Sequence, residues 1–286
     1  MAEHKCSILG EDSSYKIVSK RRMSPNIHRL LVRAPMVARK ANPGQFVIVR
    51  VGERGERIPI TLGGADPERG LLELYVAEVG ASSKDICALR RGDAILNLSG
   101  PLGNPLPVKQ YGRVLCVSNG VFVGANLYLI RALRDSGNYV TAVIGARSEK
   151  QLFLVEETRM TASETVVIDD EAPEDQRSYD FLTKIINEKH FDKVFTIGST
   201  SMQKHVSELT KPLGVPTTVS LFPIMVDGTG MCGACRVTVG GNTRFACADG
   251  PDFDGHQVDF DELIRRMRYY TPQEKIAMVL REGGIA

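Results

Sequence analysis

Apolar and polar residues change places in short bursts along the first hundred positions. Residues 15–19 (YKIVS) alternate, and residues 26–33 (NIHRLLVR) form a second candidate strand. Pro43-Gly44 turns into an apolar strand at 45–51 (QFVIVRV), and Gly63-Gly64 reads as a break. The turn at 66–70 (DPERG) leads into a strand at 71–77 (LLELYVA), and Gly92-Asp93 precedes another at 94–98 (AILNL). Short strands with turn residues at this spacing predict a small antiparallel barrel. Residues 80–89 (GASSKDICAL) predict a short helix, capped by Ser82 or Ser83.

The pattern changes over 111–220. A buried-type strand at 113–117 (RVLCV) runs through 118–124 (SNGVFVG) into a helical stretch at 125–134, ended by Ser136-Gly137. Strands at 139–144, 165–168 and 193–197 then alternate with helices at 150–158, 178–189 and 201–209. Alternating strand and helix predict a parallel sheet of nucleotide-binding type. Residues 103–107 (GNPLP) are a natural boundary. The predicted domains are therefore 1–107, 108–220 and 221–286. The last is a glycine-rich stretch with a strand at 236–239, followed by a charged helical tail that Thr271-Pro272 interrupts, with Thr271 capping its second helix.

Totals narrow the function classes. A length of 286 residues with 43% apolar residues suits two domains with real cores, or one plus an appendage. A net charge of +2 gives no strong field for nucleic acid or a membrane surface, and no run of eighteen apolar residues predicts a membrane span. The opening residues lack a signal-peptide pattern, so a cytoplasmic protein is expected, with Cys6, Cys87 and Cys116 as free thiols and Cys116 buried in a strand. His28, His205 and His256 have no metal partners at useful spacing and read as surface or turn residues.

The candidate chemistry is concentrated at 227–247 (DGTGMCGACRVTVGGNTRFAC). Cys232, Cys235 and Cys247 stand there at C-x2-C-x11-C, five residues after Asp227. Thiolates gathered among glycines hold metal, because backbone N–H groups can approach where no Cβ intervenes. On residue types alone a [2Fe–2S] cluster ligated by Asp227, Cys232, Cys235 and Cys247 competes with a zinc site of the same donors. A dithiol fits less well, since the motif leads into a strand rather than opening a helix. Met225 and Met231 flank the motif and read as packing.

A barrel, a βα sheet and a cysteine appendage, in that order, resemble the ferredoxin-reductase-like flavoproteins. Residues 57–61 (RIPIT) are similar to that family's flavin motif R-x-P-[LI]-[ST], and 79–83 (VGASS) stand where it surrounds the flavin diphosphate. Residues 223–239 and 245–254 resemble the small subunits of NADH-dependent ferredoxin:NADP oxidoreductases. Electron-transfer subunits of dihydroorotate dehydrogenase and β subunits of sulfide dehydrogenase are similar too. An Asp at the first ligand position resembles the electron-bifurcating subgroup.

The resemblance implies an antiparallel flavin-binding β-barrel, a Rossmann-like parallel α/β nucleotide-binding domain, then a small iron–sulfur loop domain and a helical tail. It implies FAD held by Arg57, Pro59, Ile60, Thr61, Tyr75, Ala77, Gly80, Ser82 and Ser83. It places a pyridine nucleotide by Gly120, Gly145 and Arg147, and favours a [2Fe–2S] cluster over zinc. It also implies a larger flavin and iron–sulfur partner subunit, with NAD(H) exchanging hydride with the flavin.

The chain departs from the family at the first βα turn. The family pattern GGGVG[VI]AP is here Ser118-Asn119-Gly120-Val121-Phe122-Val123-Gly124-Ala125-Asn126, with side chains where a dinucleotide needs bare backbone. A second segment, TxDGSxG, is replaced by the acidic run 168–176 (IDDEAPEDQ), which repels phosphates. Two readings follow: NAD(H) binding is lost or strongly weakened, leaving a relay subunit, or Phe122 packs in the core and NAD(H) still binds.

Overall fold

The computed structural model describes residues 15–53, 55–169 and 176–283; Cys6 and most of the acidic run lie outside these residues. The first segment builds seven strands: β1 (Tyr15–Ser24), β2 (Ile27–Arg33), β3 (Phe46–Arg50), β4 (Ile58–Asp66), β5 (Leu71–Ala77), β6 (Ala94–Ile95) and β7 (Asn97–Leu102). Helix α1 (Pro35–Ala38) follows β2, and α2 (Ala81–Ala88) follows β5. Their order is β6-β1-β2-β5-β4-β3-β7, with every pairing antiparallel. The edge strands β6 and β7 are separated in the chain only by Leu96, so the two edges of the sheet stand side by side and the sheet nearly closes into a barrel. Alternation explains the core: Leu72, Leu74 and Val76 of β5 point inward with Leu30, Val32, Val47, Val49 and Leu62.

Two local expectations are corrected. Gly63-Gly64 does not break the chain; β4 runs through it with a bulge between Leu62 and Gly64. The bare backbone is needed because the Tyr75 ring lies on Gly63, where a Cβ would come within 2.5 Å of it. The first turn of α2 is preceded by Gly80, and Ser83 is its third residue. The Ser83 hydroxyl accepts from the N–H groups of Val79 and Gly80 at 3.0 and 2.9 Å.

The second segment alternates β8 (Arg113–Asn119), α3 (Val123–Asp135), β9 (Tyr139–Ala146), α4 (Val155–Thr161), β10 (Glu164–Asp169), α5 (Gln176–Glu188), β11 (Lys193–Ile197), α6 (Thr200–Thr210) and β12 (Thr217–Ser220). These strands are parallel, in the order β10-β9-β8-β11-β12. β8 is covered on both faces, so its centre is the apolar run Val114–Val117, with Cys116 fully buried as expected. The order reverses between β8 and β11.

The third segment forms a hairpin, β13 (Arg236–Val239) and β14 (Asn242–Phe245), turned by Gly240 and Gly241 at φ +59° and +76°. β15 (Asp252–Asp254) then joins the parallel sheet as an antiparallel edge beside β12. α7 (Phe260–Met267) and α8 (Thr271–Glu282) complete the chain. Thr271 lies inside the first turn of α8 rather than capping it. None of the described helices is long and apolar enough to cross a membrane.

One apolar cluster ties the three segments together: Phe46 and Ile48 from β3, Val219 and Leu221 from the sheet, Cys235, Val237 and Cys247 from the third segment, and Phe260 and Leu263 from α7. Asp252 is half-buried at the same junction, with its Oδ2 enclosed. Its Oδ1 accepts from the Ser220 hydroxyl, its Oδ2 has no partner among the described residues, and Gly44 of the barrel presses against it. Burial pushes its pKa up to about 7, against the hydrogen bond from Ser220. An acid whose pKa is raised on folding contributes stability at low pH that fades as pH rises through the folded value. Stability should therefore fall by as much as about 4 kcal/mol between about pH 4 and pH 7. Asp252→Asn should flatten that stretch of the profile; denaturation midpoints across pH with an unchanged slope would contradict this.

Candidate functional site

The cysteine loop rests on the barrel. Gly228, at φ +79°, lies so close that a Cβ would meet Leu102 of β7 at 2.7 Å and Ile48 of β3 at 2.9 Å. The loop brings its four candidate ligands together as two pairs. Cys235 and Cys247 are buried with their sulfurs 3.1 Å apart. Cys232 and Asp227 lie nearer the surface, the thiol donating to Asp227 Oδ1 at 3.3 Å. Among the described residues, no three of these four donors gather within 4.8 Å of one another. A single tetrahedral zinc, with Zn–S near 2.3 Å, needs all its sulfurs about 3.8 Å apart. Two pairs suit a cluster with two irons, each taking two protein ligands.

Electrostatics fit the same reading. Burial and the neighbouring Cys235 thiol push the Cys247 pKa up to about 12, so Cys247 needs a cation beside it to become a thiolate. Asp227 is the opposite case. Burial raises its pKa, but bonds from the N–H and hydroxyl of Thr229 and the thiol and N–H of Cys232 outweigh it and hold the carboxyl at about 2. The Met231 N–H also donates to it, at 3.1 Å. Met225 is packed, whereas Met231 is 90% exposed and marks the side on which the cluster loop meets solvent.

The flavin motif is one strand away. In β4, Ile60 points into the barrel core, so only its backbone faces out. Pro59 pairs with Ile48, and Thr61 with Phe46. Directly paired residues share a face of the sheet. Pro59 and Thr61 are thus on the face of Ile48 and Phe46, the side chains that pack against the cysteine loop. Arg57 is exposed just before β4 and has no ion-pair partner among the described residues. Next to it, Glu56 accepts from the Ser82 hydroxyl at 2.6 Å, which draws the start of α2, with Gly80, toward Arg57. Ser83 is spent on its own helix. Tyr75 is wedged between Gly63 and Gly124, its hydroxyl donating to Glu73 and its ring 5.6 Å from Phe153; Ala77 borders the same seam between barrel and sheet.

Gly120, at φ +55°, and Gly145 do lie at the carboxyl ends of β8 and β9, with Arg147 exposed beyond. Side chains line the crevice there. Asn119 reaches across it to Ser199 by two hydrogen bonds, and Phe122 stacks on Phe222 at 5.3 Å. Gly120 is bare and open, but Asn119 and Phe122 put side chains where a dinucleotide needs bare backbone.

Sequence reasoning missed one cluster. His28 is buried, not a surface residue, and its Nε2 lies 2.6 Å from Glu78 Oε1 with the Cys87 thiol close by. Cys87 belongs to α2, and Lys20 donates to its carbonyl, which sets a competing positive charge beside any cation.

Residues 223–259 match the iron–sulfur cluster binding domain of dihydroorotate dehydrogenase B. The chain is 41% identical over 271 residues to a dihydroorotate dehydrogenase B (NAD(+)) electron transfer subunit homolog of Thermotoga maritima, covering 94% of this chain and 96% of the relative. It is 27% identical to the corresponding electron transfer subunit of Desulforamulus reducens, over 85% of this chain and 96% of that one. Among solved structures, one chain of NADH-dependent reduced ferredoxin-NADP oxidoreductase, studied for flavin-based electron bifurcation, superposes with a TM-score of 0.87 at 41% identity, covering 94% of this chain and 98% of that chain. Phthalate dioxygenase reductase, at 19% identity and a TM-score of 0.59 over 79% of this chain and 85% of that chain, shares the fold.

Proposed function

The chain belongs to the family of dihydroorotate dehydrogenase B electron transfer subunits and their homologues, and from that premise we propose that it passes electrons between FAD on its barrel and a [2Fe–2S] cluster in its third segment. The observation that carries this reading is the shared face of β3 and β4: the flavin motif and the cysteine loop meet across one strand. FAD, when bound, supplies the conversion between two-electron and one-electron chemistry. The protein's own part is to hold and separate.

Arg57 offers a fixed fork of donors to the flavin or its diphosphate, Thr61 a hydroxyl, and Gly80 with Ser82 N–H and O–H groups at the start of α2. Pro59 and the backbone of Ile60 shape the wall. Tyr75 and Ala77 set the seam against which the second domain packs. Asp227 and Cys232, as the outer pair, and Cys235 and Cys247, as the inner pair, would hold the cluster. The outer pair lies beside exposed Met231, which suits delivery of electrons to a larger flavin and iron–sulfur partner subunit.

A carboxylate is a harder donor than a thiolate and so tunes the cluster. Asp227→Cys is expected to keep a cluster but to shift its reduction potential and its visible spectrum, as read by a spectroelectrochemical titration. A variant indistinguishable from the parent would mean that Asp227 only organises the loop. The function itself is tested by iron, zinc and flavin content of the purified protein: iron and FAD together support it, and zinc without iron refutes it.

A second reading, a relay subunit without pyridine nucleotide, is favoured by the bridge between Asn119 and Ser199.

A further inference from the structure

In doubly wound sheets a dinucleotide lies at the carboxyl ends of the strands, where the strand order reverses. In this chain that point lies between β8 and β11. β8 ends on Asn119, and β11 is followed by Gly198-Ser199 at the start of α6.

Asn119 occupies this point. Its Nδ2 donates to Ser199 Oγ at 3.0 Å, and the Ser199 N–H donates to Asn119 Oδ1 at 2.9 Å. A Cβ on Gly198 would come within 2.4 Å of that same Oδ1. On the other side, a Cβ on Gly145 would come within 3.3 Å of Asn119 Cβ. The Asn119 side chain therefore fills the room that two neighbouring glycines leave, its amide against Gly198 and its Cβ against Gly145. It also takes up an N–H at the start of α6, where a phosphate would otherwise find donors.

Two further contacts hold the rim in place. Thr200, the first residue of α6, donates its hydroxyl to Met267 Sδ at 3.2 Å, which seats α7 over that helix start. Phe122, stacked on Phe222, ties the first βα turn to the segment leading to the cluster loop. A nucleotide entering here must break two hydrogen bonds and expel a side chain before making contacts of its own.

We infer that Asn119 is a latch that shuts the dinucleotide crevice, so that the second domain excludes NAD(H) and NADP(H) and serves as the scaffold between the flavin barrel and the cluster loop. This rests on the proposed FAD and cluster function. It changes where electrons enter: through the cluster and the partner, not through a nicotinamide on this domain.

The test uses the holoprotein in its complex, titrated anaerobically with NADH and NADPH, with bound nucleotide read by calorimetry and the flavin by absorbance. The parent is expected to bind neither nucleotide at millimolar concentration. Asn119→Gly is expected to bind NADH roughly tenfold or more tightly than the parent, with FAD and cluster spectra unchanged. Ser199→Ala, which removes one bond of the latch, should move the same way by less, and it carries the test if Asn119→Gly loses a cofactor. Micromolar binding of either nucleotide by the parent at this domain, or no gain in either variant, overturns the latch. Absence of FAD and iron from the parent would instead strike at the proposed function, so the two failures are told apart.

Discussion

Cys247→Ser should empty the chain of iron while leaving its flavin in place, and Cys235→Ser should do the same. The two sulfurs lie 3.1 Å apart and are almost completely buried, at 2% and 1% exposure, in the cluster of side chains that joins barrel, sheet and α7. A serine there replaces a soft thiolate with a hard, weakly acidic hydroxyl that cannot match its iron affinity. Among the described residues no spare thiol stands ready, since Cys87 and Cys116 are buried elsewhere, in the barrel core and in β8. The barrel, with its own core, should remain folded and keep FAD. Iron and sulfide analysis would show the metal falling from about two per chain to near zero, with the flavin spectrum retained. Full iron content in both variants would mean that these cysteines are not ligands.

Arg57→Ala should produce the opposite loss: flavin released, cluster kept. Arg57 is exposed at the entry to β4 and makes no ion pair among the described residues, whereas Arg29 on β2 is tied to Glu73 at 2.7 Å. A guanidinium left unpaired beside a helix start is free to meet an anionic ligand. Hydrogen bonds to charged groups contribute about 1.5–3 kcal/mol, so FAD affinity should weaken by roughly 10- to 100-fold. Arg57→Lys keeps the charge but not the fork, and should recover only part of it. Flavin retention after gel filtration, followed by titration with FAD, checks both. Unaltered affinity in the alanine variant would remove Arg57 from the flavin site.

Much of this was legible in the chain because local and tertiary preferences agree. The strands Leu71–Ala77, Lys193–Ile197 and Arg236–Val239 begin and end where the apolar pattern places them. The departures come from partners distant in sequence. Gly63-Gly64 looks like a stop, but the ring of Tyr75 requires those bare positions inside β4. β15 has three residues and pairs with β12 more than thirty residues upstream, so no local period announces it. His28 meets Glu78 and Cys87 only once the barrel closes.

The site divides in the same way. The spacing of the cysteines disclosed the donors, and only the fold sorted them into two pairs. At the first βα turn the lost glycines were visible at Ser118, Asn119 and Phe122. That Asn119 would reach Ser199, eighty residues on, was not visible. Phe122 does pack, as one of the two sequence readings held, but it packs at the rim of a crevice that Asn119 already fills.

On the proposed function, one chain holds a two-electron and a one-electron carrier on either side of β3. Anaerobic reductive titration of the purified holoprotein, followed by absorbance and by electron paramagnetic resonance, tests it most directly. About three electron equivalents per chain are expected, two into FAD and one into a [2Fe–2S] cluster, with electrons redistributing between them after each addition. A protein that takes up only two, with no paramagnetic iron–sulfur signal at full reduction, would contradict it.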